Sequence, residues 1–124
     1  MTTTPVLAYP DMNREFIITT DASTKAIGYI LSQKNAQGQE HPIAYGGRSL
    51  RNSELNWSVS DIEGLSLIES CREYSAYLGN NHFSVYTVHI SLKWLRQIKQ
   101  SGGRLQRWSI SLSPFNFTIF HKKR

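Results

Sequence analysis

Apolar residues recur along this chain with two different periods. In the first half they form three short runs rich in β-branched residues, at 15–20, 27–33 and 41–46, as is typical of strands. Small residues follow the first run, and the polar loop Lys34–Gln39 follows the second. This pattern predicts three antiparallel strands that are joined by consecutive hairpins.

The second half of the chain changes to a helical period. Apolar residues spaced three or four positions apart run from Ile62 to Leu78, and Ser60 with Glu63 matches the Ser-x-x-Glu capping box. Further elements are predicted at 83–88 (strand), 91–99 (helix), 104–112 (helix) and 115–120 (strand). The order β-β-β-α-β-α-β predicts an α/β fold, with helices packed on a mixed five-stranded sheet whose first three strands are antiparallel.

The composition limits the cellular setting. The 124 residues are enough for one domain. Cys71 is the single cysteine, so an internal disulfide is excluded, and no apolar run reaches the roughly 20 residues of a membrane span. The polar start Met1–Pro5 lacks the pattern of a secretion signal. We therefore expect an intracellular protein, cytoplasmic or nuclear, with no membrane partner.

Charge is distributed unevenly along the chain. All nine acidic residues lie at or before Glu73, together with six Lys and Arg, whereas residues 74–124 contain eight Lys and Arg and no acid. The two parts therefore carry formal charges of −3 and +8. A basic part beside a carboxylate-bearing part is typical of a protein that binds phosphate backbones near a metal site. A solvated basic surface or tail would give the same count.

Two acidic residues lie at positions that suit a role in catalysis or metal binding. Asp21 follows the first strand directly, and Glu63 lies in the first turn of the first predicted helix. Each also has a purely structural interpretation. Asp21 is a turn residue if it hydrogen-bonds its own backbone, and Glu63 is the capping-box partner of Ser60 if that box forms. The residues alone leave both interpretations open.

Several segments, in register over almost the whole chain, resemble one known family. They are Pro5–Asp11, Thr20–Ser23 with Gly28 and Leu31–Gln33, Pro42–Tyr45, Glu54–Ser58 through Glu63 to Gly79, Thr87–His89 with Leu92 and Leu95, and Arg104–Trp108. On these segments the chain resembles the RNase H-like domain that follows the reverse transcriptase of Gypsy-type LTR retrotransposons. The resemblance implies that residues 1–14 are an extended lead-in from a reverse-transcriptase region. It implies that residues 15–124 are an RNase H-like domain truncated at its C-terminus, with the C-terminal helix missing.

The resemblance also implies a reaction. Enzymes of this family are expected to cut the RNA strand of an RNA–DNA hybrid by hydrolysis with two Mg²⁺ ions, which four acids hold. Asp21 and Glu63 match the first two acids, both as catalytic residues and as metal ligands. Val88 stands where the third acid is expected, and the fourth is expected on a closing helix beyond Arg124. We therefore expect a ribonuclease H type endonuclease whose metal site is incomplete and whose activity is weak or absent.

The implied partners are an RNA–DNA hybrid and an adjacent reverse-transcriptase domain in a longer polyprotein. Basic side chains that would face the phosphates of the hybrid are Arg48, Lys93, Arg96, Lys99, Arg104 and Arg107. For each of them, ordinary surface charge is the alternative. A second hypothesis for the whole chain is a non-catalytic RNase H-like binding or spacer module, of the kind that a host can retain.

Overall fold

A mixed sheet is the centre of the fold in the computed structural model, which describes residues 2–3, 8–88 and 104–121. Its strands, in chain order, are β1 (Thr2–Thr3), β2 (Phe16–Ala22), β3 (Ala26–Lys34), β4 (Glu40–Ser49), β5 (Phe83–Thr87) and β6 (Phe117–His121). The described helices are α1 (Val59–Glu73), α2 (Ser75–Leu78) and α3 (Arg104–Leu112), and a 3₁₀ turn at Asn52–Glu54 connects β4 to α1.

Strand β2 lies in the middle of the sheet, whose order is β1-β4-β3-β2-β5-β6. It pairs antiparallel with β3 on one side and parallel with β5 on the other. Strand β4 pairs antiparallel with β3, and β6 pairs parallel with β5. The predicted mixed five-stranded sheet with three antiparallel hairpin strands is therefore confirmed. The two residues of β1, which pair with Gly46 and Gly47, add a short sixth strand.

The two faces of the sheet differ in what they pack against. Side chains alternate along β2, so Phe16, Ile18 and Ala22 join the hydrophobic core, where α1 packs on β2, β3 and β4. Other strands and helices contribute the core side chains Tyr29, Leu31, Leu67, Leu78, Phe83, Val85, Trp108 and Leu112. We call this side of the sheet the core face. Thr19 and Asp21 of β2 lie on the opposite face.

Helix α1 begins two residues before the predicted start. Its N-cap is Ser58, whose hydroxyl accepts a hydrogen bond from the backbone N–H of Asp61 at 3.2 Å. The predicted capping box of Ser60 and Glu63 is therefore wrong, because both residues are already inside the helix. The cap moves to Ser58 because the chain arrives there from the 3₁₀ turn in an extended conformation.

Other element boundaries also differ from the prediction. The helix predicted to continue to Leu78 is split at Tyr74, whose φ of −102° and ψ of 15° leave the helical region. The last strand begins at Phe117 rather than Phe115, since the N–H of Phe115 still closes a turn on the carbonyl of Leu112. The helix predicted at 91–99 lies outside the described residues.

Gly47 is held in a conformation that only glycine adopts readily. Its φ is +146°, and an added Cβ would collide with the carbonyl oxygen of Ile27 on β3. We expect Gly47→Ala to lower the free energy of unfolding by about 1–3 kcal/mol through backbone strain, with the collision adding to the loss. Urea unfolding measures this change.

Gly38 provides the matched control. It also has a positive φ, +79°, but no atom lies within 4 Å of its added Cβ. Gly38→Ala should therefore show the strain alone. An equal loss for the two variants would contradict the packing argument at Gly47.

Candidate active site

The ends of two neighbouring parallel strands, β2 and β5, form the candidate site. Thr19 of β2 pairs with Tyr86 of β5. Val88 is the first residue after β5, and the register continued for two residues brings it level with Asp21, because partners in a parallel pair advance together. Alternation places the Asp21 side chain on the face opposite the core. Asp21 is exposed and Val88 is partly buried, so an apolar side chain follows the strand that pairs with β2.

Ser23 closes the turn that follows β2. Its hydroxyl accepts hydrogen bonds from the N–H groups of Lys25 at 3.2 Å and Ala26 at 3.1 Å, and its own N–H donates to the carbonyl of Ala26 at 2.9 Å. The turn that connects β2 to β3 is therefore closed by the side chain and backbone of Ser23.

Glu63 lies in the interior, on the second turn of α1. Its side chain is 0 % exposed, and neither carboxylate oxygen has a hydrogen-bond partner among the described residues. The Thr20 hydroxyl, on the core face of β2, is also buried with no hydrogen-bond partner in the same part of the chain. A buried carboxylate without a partner is costly, and such groups concentrate at functional sites. This observation favours a functional interpretation of Glu63, since its structural role as a cap is excluded.

The side chains present do not fit a pair of magnesium ions. Each Mg²⁺ needs oxygen ligands that converge from several elements. In residues 8–88 and 104–121, however, no three His, Cys, Asp or Glu side chains lie close enough together to hold a metal ion. The Asp21 side chain is exposed to solvent, whereas Glu63, on α1, is completely buried. Val88 supplies no oxygen. The site thus contains two of the expected acids in separate surroundings.

Arg48 is occupied by internal partners. It lies on the core face of β4, and its guanidinium donates to both carboxylate oxygens of Glu54, at 2.8 and 2.9 Å, and to Glu69 at 3.3 Å. The side chains of Arg48 and Glu54 are only 10 % and 6 % exposed. The hydrogen bonds from Arg48 hold the pKa of Glu54 below its ordinary value despite burial. We therefore leave Arg48 out of the surface that we propose for nucleic acid below.

Of the other basic candidates, only Arg107 has a side chain within the described residues. Lys93, Arg96 and Lys99 lie outside the described residues. Arg104 begins α3, and of its side chain nothing is described, whereas Arg107, one turn later, is exposed.

One exposed basic residue near α3 was missing from the sequence-based candidates. Arg72, in the last turn of α1, donates to the hydroxyl of Ser111 on α3 at 3.2 Å. Sequence reasoning missed Arg72 because it lies within the acid-bearing part of the chain. Its place between the apolar positions of the predicted helix, which indicates an exposed side chain, was the available signal.

Comparison with known proteins identifies the family. Residues 11–115 match the family described as "RNase H-like domain found in reverse transcriptase". The chain belongs to this family. Its membership agrees with the strand order and with acids at the end of β2 and on α1.

Relatives of this RNase H-like domain are retroelement polyproteins. The domain is 36 % identical over 119 residues to the retrovirus-related Pol polyprotein from transposon 297 of Drosophila melanogaster, covering 96 % of this chain and 11 % of the relative. It is 34 % identical over 122 residues to the transposon Tf2-3 polyprotein of Schizosaccharomyces pombe, covering 95 % of this chain and 9 % of the relative. The chain thus spans about a tenth of the length of these relatives.

Solved structures support the fold of the RNase H-like domain. The foamy viral protease-reverse transcriptase in complex with dsDNA superposes with a TM-score of 0.70 at 21 % identity, over 92 % of this chain and 24 % of that one. RNase H1 from the archaeon Halobacterium salinarum superposes with a TM-score of 0.56 at 16 % identity, over 89 % and 86 % of the two chains. At these identities the comparison establishes the fold alone.

The helices were also compared with the length and hydropathy of membrane spans. In the described part of the RNase H-like domain, no helix is long and apolar enough to cross a membrane.

Proposed function

We propose that this RNase H-like domain comes from a Gypsy-type element, that it binds RNA–DNA hybrids, and that its cleavage of the RNA strand is impaired. The observation that carries the proposal is the parallel register of β2 and β5, which supports a position for Val88 level with Asp21 when it is continued for two residues. A fold that matches ribonuclease H, with an apolar residue where a third acid is expected, is consistent with an ancestral nuclease that has lost part of its site.

The relatives support a nucleic-acid partner. One structural neighbour is the foamy viral protease-reverse transcriptase in complex with an RNA/DNA hybrid, with a TM-score of 0.66. The curated relatives are polyproteins. We propose the same setting here, with residues 1–14 leading in from a reverse-transcriptase region. Strand β1, which pairs with β4 at the sheet edge, is consistent with a lead-in that packs on the domain.

A second function, a non-catalytic binding or spacer module, is favoured by the same site. In the described residues no group of three potential ligands exists, while the hydrophobic core is continuous from β2 to α3. A domain with an intact core and an incomplete site can continue to bind nucleic acid without turning it over. In this proposal Mg²⁺ is the ancestral cofactor, with Asp21 and Glu63 as the remaining ligands.

Hybrid binding and cleavage test the two functions together. We expect this chain to bind an RNA–DNA hybrid weakly, with a binding constant that falls as salt is added, because Lys and Arg displace counterions from phosphates. We expect no cleavage beyond background in Mg²⁺. Fluorescence anisotropy at several salt concentrations and a gel assay of the labelled RNA strand measure the two quantities. Rapid Mg²⁺-dependent cleavage would exclude impaired activity, and no binding at low salt would exclude a hybrid-binding role and leave only the spacer.

Arg107 is the described residue that we expect to contact the hybrid. Arg107→Ala should reduce the slope of log K against log salt by about one, because one phosphate contact is lost. Arg14→Ala is the matched control, since Arg14 is also exposed but pairs with Asp11 at the start of β2, at 3.4 Å. The same slope in Arg107→Ala as in the unmodified chain would remove Arg107 from the binding surface.

A further inference from the structure

Arg48 joins three separate elements of the fold. Its Cα lies opposite Ile27 in the pairing of β3 and β4, on the core face. From there its guanidinium reaches the 3₁₀ turn through Glu54 and helix α1 through Glu69. It also donates to the carbonyl of Ser49 at 3.2 Å. A buried guanidinium with two carboxylate partners has little freedom to move.

The contact with Glu54 fixes the segment that leads into α1. Besides Arg48, Glu54 accepts a hydrogen bond from the N–H of Arg51 at 2.7 Å. Its own carbonyl accepts from the N–H of Trp57 at 3.1 Å. The next residue, Ser58, is the N-cap of α1. The bidentate ion pair thus ties the start of the helix to β4.

The contact with Glu69 fixes the helix itself. Glu69 is six residues after Glu63, which corresponds to about 9 Å along the helix axis. Arg48 therefore contacts α1 at Glu69, after Glu63, and the 3₁₀ turn that leads into α1 at Glu54, before Glu63. Because the chain is held on both sides of Glu63, this part of α1 resists sliding and rotation over the sheet. A further tie, from the Tyr29 hydroxyl to Glu73 at 2.8 Å, lies beyond Glu69 near the C-terminal end of α1.

Glu63 depends on this placement because no hydrogen bond orients its own carboxylate. Both of its oxygens lack a partner among the described residues. The direction in which the carboxylate points is therefore set by the position of its backbone. That position is set by the helix.

We propose that Arg48 is the positioning residue for Glu63, acting through Glu54 and Glu69. This inference rests on the proposed function, in which Glu63 is an acid of the ancestral nuclease site. It assigns to Arg48 a role inside the domain in place of contact with phosphates.

Hydrogen exchange tests the placement directly and needs no catalysis. We expect Arg48→Met to raise amide exchange in residues 50–70, which include both of its carboxylate partners, Glu54 and Glu69, and to leave strands β5 and β6 close to their original rates. Arg48→Lys, which keeps the charge but cannot form the bidentate pair, should give an intermediate increase. Tyr29→Phe is the matched control and should raise exchange near Glu73 only. A rise of the same size in β5 and β6 would overturn the proposal, since that pattern reports general destabilisation, and so would unchanged exchange in residues 50–70.

The kcat and KM of hybrid cleavage, measured in the Val88→Asp variant, distinguish a positioning role of Arg48 from a purely structural one. If that variant cleaves hybrid, we expect Arg48→Met to lower kcat about 10- to 100-fold with KM unchanged, as for residues that orient a reacting group. Tyr29→Phe should leave kcat within about twofold. Equal losses of kcat in the two variants would contradict a positioning role. If the Val88→Asp background does not cleave, the site lacks more than one acid, and hydrogen exchange alone decides the role of Arg48.

Discussion

Val88→Asp is expected to raise the rate of hybrid cleavage by at least about 100-fold over the unmodified chain. Neighbouring strands lie roughly 4.8 Å apart, and the register of β2 and β5, continued for two residues, brings residue 88 level with Asp21. The substitution therefore places a second carboxylate beside the first, at the end of a parallel strand pair. Loss of groups that only orient metal ligands already costs 10–100-fold, so a missing ligand costs at least as much. A time course of cleavage of a labelled RNA strand, in Mg²⁺ and in Mn²⁺, measures the gain.

Two control variants test whether the gain in cleavage requires a negative charge at position 88 and whether it requires Asp21. Val88→Asn has a similar shape but no charge, and we expect it to remain at the background rate. Adding Asp21→Asn to Val88→Asp should abolish the gain, because the two carboxylates act together. A gain that survives Asp21→Asn would show that Asp21 does not belong to the site. If Val88→Asp folds and binds hybrid but does not cleave it, the site lacks more than one acid, which favours the binding-module function.

Glu54→Ala is expected to lower the free energy of unfolding by about 3 kcal/mol at neutral pH. Removing one partner of a buried ion pair usually costs 3–5 kcal/mol, because the other charge stays buried. We expect the lower end of that range, since Arg48 keeps its contact with Glu69 at 3.3 Å. Urea unfolding measures the loss, and Glu54→Gln, which preserves the shape, provides a second variant if the alanine variant does not fold.

The loss of unfolding free energy in Glu54→Ala should depend on pH. The hydrogen bonds from Arg48 lower the pKa of Glu54 below its ordinary value of 4.5. The stabilisation by the ionised carboxylate is therefore complete above pH 4.5 and is lost as the pH falls through the folded-state pKa. The difference in the free energy of unfolding between the unmodified chain and Glu54→Ala should therefore become smaller in acid.

Arg14→Ala is the control for burial. It breaks an ion pair with Asp11 that is about half exposed, and it should change the free energy of unfolding by no more than about 0.5 kcal/mol. A comparable loss in Arg14→Ala would contradict the importance of burial.

The strands were predictable because their signal is local. The β-branched run before Asp21 is the central strand, and its hairpin partners follow in sequence, as the alternation of residues indicated. The start of α1 was less predictable, because Ser58 and Ser60 are both good caps. Ser58 is used because the 3₁₀ turn, which Arg48 holds through Glu54, delivers the chain to that residue.

The sequence by itself determined the order of strands β2 to β6 with α1 between β4 and β5, the acids at Asp21 and Glu63, and the apolar residue at position 88. Only the tertiary structure decided which charges are internal and which are free for a ligand. Arg48 has the same sequence signal as a surface cation, yet Glu69, 21 residues away, lies against it. The physical reason is that the spacing of apolar residues indicates only which side of each helix or strand is buried. The partner of a charged side chain depends instead on how elements distant in sequence pack together. The same reason explains why Glu63 is buried without a hydrogen-bond partner in the described part of the chain, while Asp21, near the end of β2, is exposed.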